Sequence, residues 1–306
     1  MLLKSLAILL LLISFSCSNN PSDIDSVEPK KIRERALTIA ILPEQNVFEQ
    51  RKKYSPLAEY LSNALDMNVK IKLLDSYGSI YDEIKNKTID GAFFGSFNYV
   101  LTKARADIEP IARAVGTDGK STYRGLMFTR KDTGLTGDVR ALKGKSIALV
   151  HEVTTAGYIY PVWYLKKHGV NNFEQYFSKI TFTGSHDAAI LAVFKGQADI
   201  GAAKNLIYEK LLSEHPDIKD KLTVIASSIE VPSNTLCVRG DLDPGIKISL
   251  KEVLLSMHTS PDGKDTLGAL NASGFEETAD SEFDELRTMA KELDIDIKIY
   301  PFRHNR

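Results

Sequence analysis

From Ala36 onward the chain runs through one plan twice, alternating strand-like apolar runs with helix-spaced segments. Residues 37–42 read as a buried strand. Ser55 and Pro56 then offer an N-cap and a first helical residue ahead of Leu57, Leu61, Ala64 and Leu65, the i, i+4, i+7, i+8 spacing of a packed helix face. Val69, Ile71 and Leu73 alternate as a strand, a helix is expected over 79–87, and Asp90 opens a short small-residue strand ending at Gly95. About a hundred residues later the order recurs. Residues 146–150 read as a strand, 155–168 as a helix closed by Gly169, 180–183 as a strand and 186–195 as a helix closed by Gly196, with Asp199 opening the last strand. Asp90 and Asp199 hold equivalent places. The alternation predicts α/β lobes with parallel sheets. The extended segments 123–130 and 231–239 read as crossovers, with the chain returning to the first lobe after about Asn234. The expected division is lobe 1 over 36–125 plus 235–300 and lobe 2 over 126–234, joined by a two-segment hinge with a cleft between them.

Composition agrees with such a body. Of 306 residues, 43% are hydrophobic and 26% charged, which excludes a disordered chain and a multispanning membrane protein. The 39 basic residues balance 40 acidic ones, so a nucleic-acid binder driven by phosphate contacts is not expected. Cys17 and Cys237 are too far apart for a metal or redox motif, and Cys237 is expected as a buried unpaired thiol.

The N-terminus carries Lys4 and then eight apolar residues, 6–13, which rise only about 12 Å as a helix against a hydrocarbon core of ~30 Å. Residues 1–16 therefore read as a signal peptide. Ile13-Ser14-Phe15-Ser16-Cys17 resembles a bacterial lipobox, with Ser14 where Leu is usual and Phe15 bulkier than usual. Cys17 would become the lipid-bearing first residue, and 17–35, polar with Pro21 and Pro29, a tether to the folded body. An ordinary signal peptide followed by an incidental cysteine remains the alternative. Either way the protein is expected to be exported; the lipid would anchor it to the membrane facing the periplasm or the cell exterior.

Catalytic motifs are not apparent. Gly144-Lys145-Ser146 imitates the end of a phosphate-binding loop, but Val139 stands where that loop needs glycine, and a strand follows instead of a helix. There is no GxSxG, no HExxH and no pair of histidines at i, i+4, so neither an enzyme, a metal site nor a cofactor is expected. The informative turn is His151 to Tyr158. A strand-to-helix turn presents unpaired N–H groups, here with the Thr154 and Thr155 hydroxyls, where the helix dipole favours an anion. Simple N-capping is the competing reading. Thr183-Gly184-Ser185-His186-Asp187 is a second such turn, placing His186 beside the first unless it is merely a solvated surface histidine.

Taken in order, Asp75-Ser-Tyr77-Gly, Asp90-Gly-Ala-Phe-Phe-Gly95-Ser96, Tyr123-Arg-Gly, Leu142-Lys-Gly-Lys, Thr154-Thr-Ala-Gly-Tyr158, Thr183-Gly-Ser-His186-Asp and Val231-Pro-Ser-Asn234 resemble the phosphonate-binding proteins, the phosphate, phosphite and phosphonate-binding components of ABC transporters. The resemblance runs from Ala36 to about Ile297. It implies a type II periplasmic-binding-protein fold and a phosphonate group held by Thr154, Thr155, Ala156, His186, Tyr77 and Tyr123, with Ser96, Lys204 and Asn234 completing the candidate site. Ala156 lacks the hydroxyl the family carries at the third turn position, leaving only its N–H to donate. Members that bind aminophosphonates receive the amine with acidic residues; the matching positions here are Leu206 and Asn234, so a ligand without an amine is expected. Lys204 would add positive charge unless it is an exposed lysine. The implied function is a solute-binding lipoprotein that captures a phosphonate, phosphite or phosphate-type oxyanion and delivers it to the permease subunits of an ABC transporter. A binding protein feeding a membrane receptor or sensor kinase is the alternative, and a bilobed transferase of the porphobilinogen-deaminase type a third.

Overall fold

Strand direction explains the architecture. The computed structural model describes residues 36–303; the expected leader, Cys17 and the tether lie outside the described residues. In chain order the strands are β1 (Ala36–Ile41), β2 (Asn68–Leu73), β3 (Gly91–Phe94), β4 (Ile108–Gly116), β5 (Thr122–Tyr123), β6 (Gly125–Arg130) and β7 (Ser146–Leu149). They continue as β8 (Lys179–Phe182), β9 (Ile200–Lys204), β10 (Leu222–Ser227), β11 (Val231–Pro232), β12 (Thr235–Arg239) and β13 (Ala272–Glu276). They form a six-stranded sheet in the order β13-β4-β12-β3-β1-β2 and a five-stranded sheet in the order β10-β6-β9-β7-β8. Apart from β13, added to one edge of the first, the two sheets follow the same order.

Each sheet is mixed, where the alternation predicts parallel strands throughout. β1, β2 and β3 run parallel, as do β7, β8 and β9, but β12 is antiparallel to β3 and β6 antiparallel to β9. The reason lies in the hinge. β5 and β11 pair antiparallel as a two-stranded ribbon between the lobes. A strand that starts at the ribbon must run away from the cleft, whereas β3 and β9 run toward it. Hence Thr235, just past the ribbon, pairs with Phe94 at the end of β3, and Gly125 pairs with Lys204 at the end of β9.

The repeat extends to its acidic residues. Asp90 accepts the N–H of Thr38 in β1 at 2.8 Å, and Asp199 accepts the N–H of Ser146 in β7 at 2.9 Å. Each carboxylate ties the start of its lobe's third strand to the first.

The first helix departs from expectation. It spans Val47–Ala64, begins at Asn46, and carries Pro56 in its interior. Asn46 Oδ1 accepts the N–H groups of Phe48 and Glu49, each at 3.1 Å, and the buried stripe Gln50, Tyr54, Leu57, Leu61 runs straight through the proline. Capping and apolar burial outweigh the one backbone bond that Pro56 cannot make.

An apolar cluster joins the lobes, combining Leu42 and Phe97 with Val150, Val153 and Ile159, and with Phe283 and Leu286 from beyond β13. Cys237 is a free thiol buried within β12. Among the described residues no helix is long and apolar enough to cross a membrane.

Candidate functional site

In an open α/β sheet the loops that follow parallel strands collect at one edge, and ligands bind there. Here two such edges face each other. Glu44 follows β1, Tyr77 follows β2, and Gly95 and Asn98 follow β3; Thr154, Thr155 and Ala156 follow β7, His186 follows β8, and Lys204 ends β9. With Val153 and the hinge residues Tyr123 and Asn234, these residues line one nearly filled pocket, with a cavity volume of about 10 Å³.

Local chemistry shapes each turn. At Gly157 a Cβ would lie 2.4 Å from the Cβ of Val150 and 2.7 Å from Thr154 Oγ1, so only glycine lets the turn pack onto its own strand. The turn continues as a π-helical segment, Thr155–Ile159, and then the helix Tyr160–Lys167. Thr154 occupies the N-cap position without capping, because its hydroxyl donates to the His151 carbonyl at 2.7 Å. Thr155 does not cap its own helix either. Its Oγ1 accepts the N–H of Phe97 at 3.0 Å, across the cleft, at the start of the helix Ser96–Lys103. Two helical segments thus meet N-terminus to N-terminus, each directing leading N–H groups and a partial positive charge into the same space.

Other bonds close the cleft around this point. The His186 N–H donates to the Glu44 carbonyl at 2.9 Å, and the Asn46 N–H to Asp187 Oδ2 at 2.9 Å. Lys210 Nζ lies 2.8 Å from Glu49 Oε2. His186 is buried, not a solvated surface residue, and its Nδ1 accepts the Lys204 N–H at 3.2 Å. That bond assigns the ring proton to Nε2. Burial outweighs the nearby Glu44 carboxylate and lowers the imidazole to about 4, so the ring is neutral near pH 7.

Lys204 is 4% exposed, which removes the surface-lysine alternative. Its Nζ lies 3.2 Å from Glu44 Oε1 and 3.1 Å from Asn234 Oδ1, and 4.5 Å from the centroid of the Tyr123 ring. Burial alone would raise the Glu44 carboxyl, but the Lys204 ammonium beside it holds it at about 2. Among the lining residues the formal charges of Glu44 and Lys204 cancel. What remains is neutral. Among the described residues Tyr77 Oη, a donor, and the Asn98 side-chain oxygen, an acceptor, are buried without a hydrogen-bond partner, and burial raises the Tyr77 phenol well above its ordinary range.

Of the residues singled out in the sequence, Tyr77, Tyr123, Thr154, Thr155, Ala156, His186, Lys204 and Asn234 come together. Ser96 stands behind them. Its Oγ lies 2.6 Å from the Pro232 carbonyl and 3.2 Å from Tyr123 Oη, so it braces the hinge. Leu206 is 40% exposed and lines a wider groove that shares Glu44, Lys204 and Asn234 with the pocket. A carboxylate that the sequence did not single out, Glu44, also lines the pocket, paired with Lys204. The internal repeat carried the missing signal: Glu44 follows β1 as the Thr154 turn follows β7.

The sequence profile of the family described as ABC transporter, phosphonate, periplasmic substrate-binding protein matches residues 39–283. The chain is 25% identical over 224 residues to the phosphate-import protein PhnD of Mycolicibacterium smegmatis, covering 70% of each. It is 23% identical over 269 residues to the probable ABC transporter phosphite binding protein PhnD1 of Prochlorococcus marinus, covering 85% of this chain and 90% of that one. A solved structure of PhnD1 from Prochlorococcus marinus in complex with methylphosphonate superposes with a TM-score of 0.77 at 24% identity, covering 86% of this chain and 99% of that one. The fold is thus the two-lobed type II arrangement.

Proposed function

The chain belongs to the periplasmic substrate-binding proteins of phosphonate ABC transporters, and from that premise we propose that the pocket between its lobes takes a small tetrahedral oxyanion of the phosphonate, phosphite or phosphate type. It is a substrate-binding transport protein and not an enzyme. The oxyanion would accept from the N–H groups of Thr155 and Ala156, from His186 Nε2 and from Tyr77 Oη, with the facing N-terminus of the helix Ser96–Lys103 completing the field. The observation that carries this reading is Tyr77 Oη, a buried donor without a partner among the described residues, set beside two convergent helix N-termini. A ligand without an amine suits the pocket because Glu44 already has its counter-charge in Lys204.

Tyr77→Phe is the discriminating variant. It deletes a hydroxyl without a hydrogen-bond partner among the described residues, so the free protein should lose no stability. Titration calorimetry against methylphosphonate, phosphite and phosphate should show binding weakened about 10- to 150-fold, the worth of one donor to a charged oxygen at about 1.5 to 3 kcal/mol. Tyr77→Phe and Thr155→Ala chains that both bind as tightly as wild type would place the ligand elsewhere.

We infer further that Cys17 carries a lipid and holds the exported protein at the membrane, since a short apolar leader followed by a polar tether suits export and anchoring. Cys17→Ser should move the exported protein from the membrane to the soluble fraction. A wild-type protein already soluble after export refutes the anchor.

A further inference from the structure

The ammonium of Lys204 sits among three groups of the kind that recognise an organic cation. A carboxylate comes from the turn after β1, an amide oxygen from Asn234 beside the hinge, and an aromatic face from Tyr123 in β5, while the lysine itself belongs to the other lobe. Carboxylate, carbonyl oxygen and ring face together make a cage for a primary ammonium. All three sides are buried or half-buried, and the cage opens onto both the oxyanion pocket and the wider groove.

We propose that Glu44, Asn234 and Tyr123 form an ammonium subsite filled by the protein's own Lys204, which makes Lys204 the residue that excludes amine-bearing oxyanions. A ligand ammonium in the same cage would meet a like charge within a few ångströms and compete for one carboxylate. A ligand without an amine leaves the Glu44 to Lys204 pair intact. Removing the lysine head leaves Glu44 buried without its ion-pair partner, with the Lys53 charge still acting on it from the same groove, which is costly until another cation binds it directly. An oxyanion with a short aminoalkyl arm answers it while its acidic end takes the donors of the pocket. The part of this inference that concerns ligand choice rests on the oxyanion reading above; the cage itself does not.

The test compares wild type, Lys204→Met and the double variant Lys204→Met/Glu44→Gln, which removes both charges. Calorimetry uses methylphosphonate and 2-aminoethylphosphonate, and thermal unfolding is followed with and without methylammonium chloride. Lys204→Met should shift preference toward the amine-bearing phosphonate by about tenfold or more relative to wild type, and the double variant should lose that shift. Methylammonium should raise the unfolding midpoint of Lys204→Met alone. A Lys204→Met chain that binds methylphosphonate but shows neither the shift nor the methylammonium effect overturns the proposal. If none of the chains binds an oxyanion yet methylammonium stabilises Lys204→Met alone, the oxyanion reading fails and the cage stands. Should Lys204→Met fail to fold, recovery of folding by methylammonium supports the cage. Failure to recover while the double variant folds refutes it, as does a double variant that cannot fold, since the pair would then be structural.

Discussion

The two ring nitrogens of His186 have different tasks. Nδ1 accepts a backbone N–H, which fixes the tautomer and leaves Nε2–H as the donor available to a ligand. The protonation state has consequences for stability. The folded-state pKa is lowered from 6.5 to about 4, chiefly by burial, so between these values the unfolded chain binds more protons than the folded one. Stability from this group is therefore complete above pH 6.5 and is lost as the pH falls toward 4, with a slope of at most about 1.4 kcal/mol per pH unit for one proton. Glu44, lowered from 4.5 to about 2, adds a loss of the same sign at still lower pH. Denaturant unfolding from pH 7 to 4 should show a shallower decline for His186→Asn, whose side-chain oxygen can replace the Nδ1 acceptor, than for wild type. Parallel curves would mean that His186 does not titrate as its burial requires.

Among the elements, the turns after parallel strands line the candidate pocket, and a strand pattern that runs into a helix pattern beside small and hydroxyl residues marks those at Thr154, Thr155 and His186 in the sequence. What each group does was hidden. Thr155 looked like a cap for its own helix and instead receives an N–H from the opposite lobe; Ser96 looked like a ligand contact and instead holds the hinge. Both outcomes depend on partners far along the chain, 58 and 136 residues away, which no local pattern encodes. The start of the helix Val47–Ala64 was misplaced for the opposite reason. A local signal, Ser55-Pro56, was strong, but an unbroken buried stripe and a better cap at Asn46 overrode it.

At the scale of the molecule, the lobes are held by three kinds of connection. The β5 and β11 ribbon is one. The second is the set of bonds across the cleft, including Phe97 to Thr155 and Lys204 to Glu44. The third is the segment beyond β13, which reaches both lobes. Glu292 pairs with Lys167 at 2.7 Å and Arg303 with Glu152 at 3.3 Å, while Phe302 stacks on Tyr81 at 5.2 Å and Arg105 donates to the Ile297 carbonyl at 3.1 Å. A site assembled from both lobes has its full set of donors only when they are together, so ligand should favour the closed form. Small-angle scattering should show a smaller radius of gyration with saturating methylphosphonate than without. Superimposable curves would mean that the free protein is already closed and that selection acts elsewhere.

Periodicity and turn chemistry sufficed for the alternating elements, the doubled plan and the two crossings, because each rests on residues close together in the chain. The same local signals also mark the strand-to-helix turns at Thr154 and His186 that line the candidate pocket. Tertiary structure alone decided strand direction in β6 and β12, which follows from where the chain leaves the hinge. It alone brought Glu44 onto Lys204, 160 residues away, since two charges separated that far in sequence become a buried pair only when two sheets turn their strand ends toward each other.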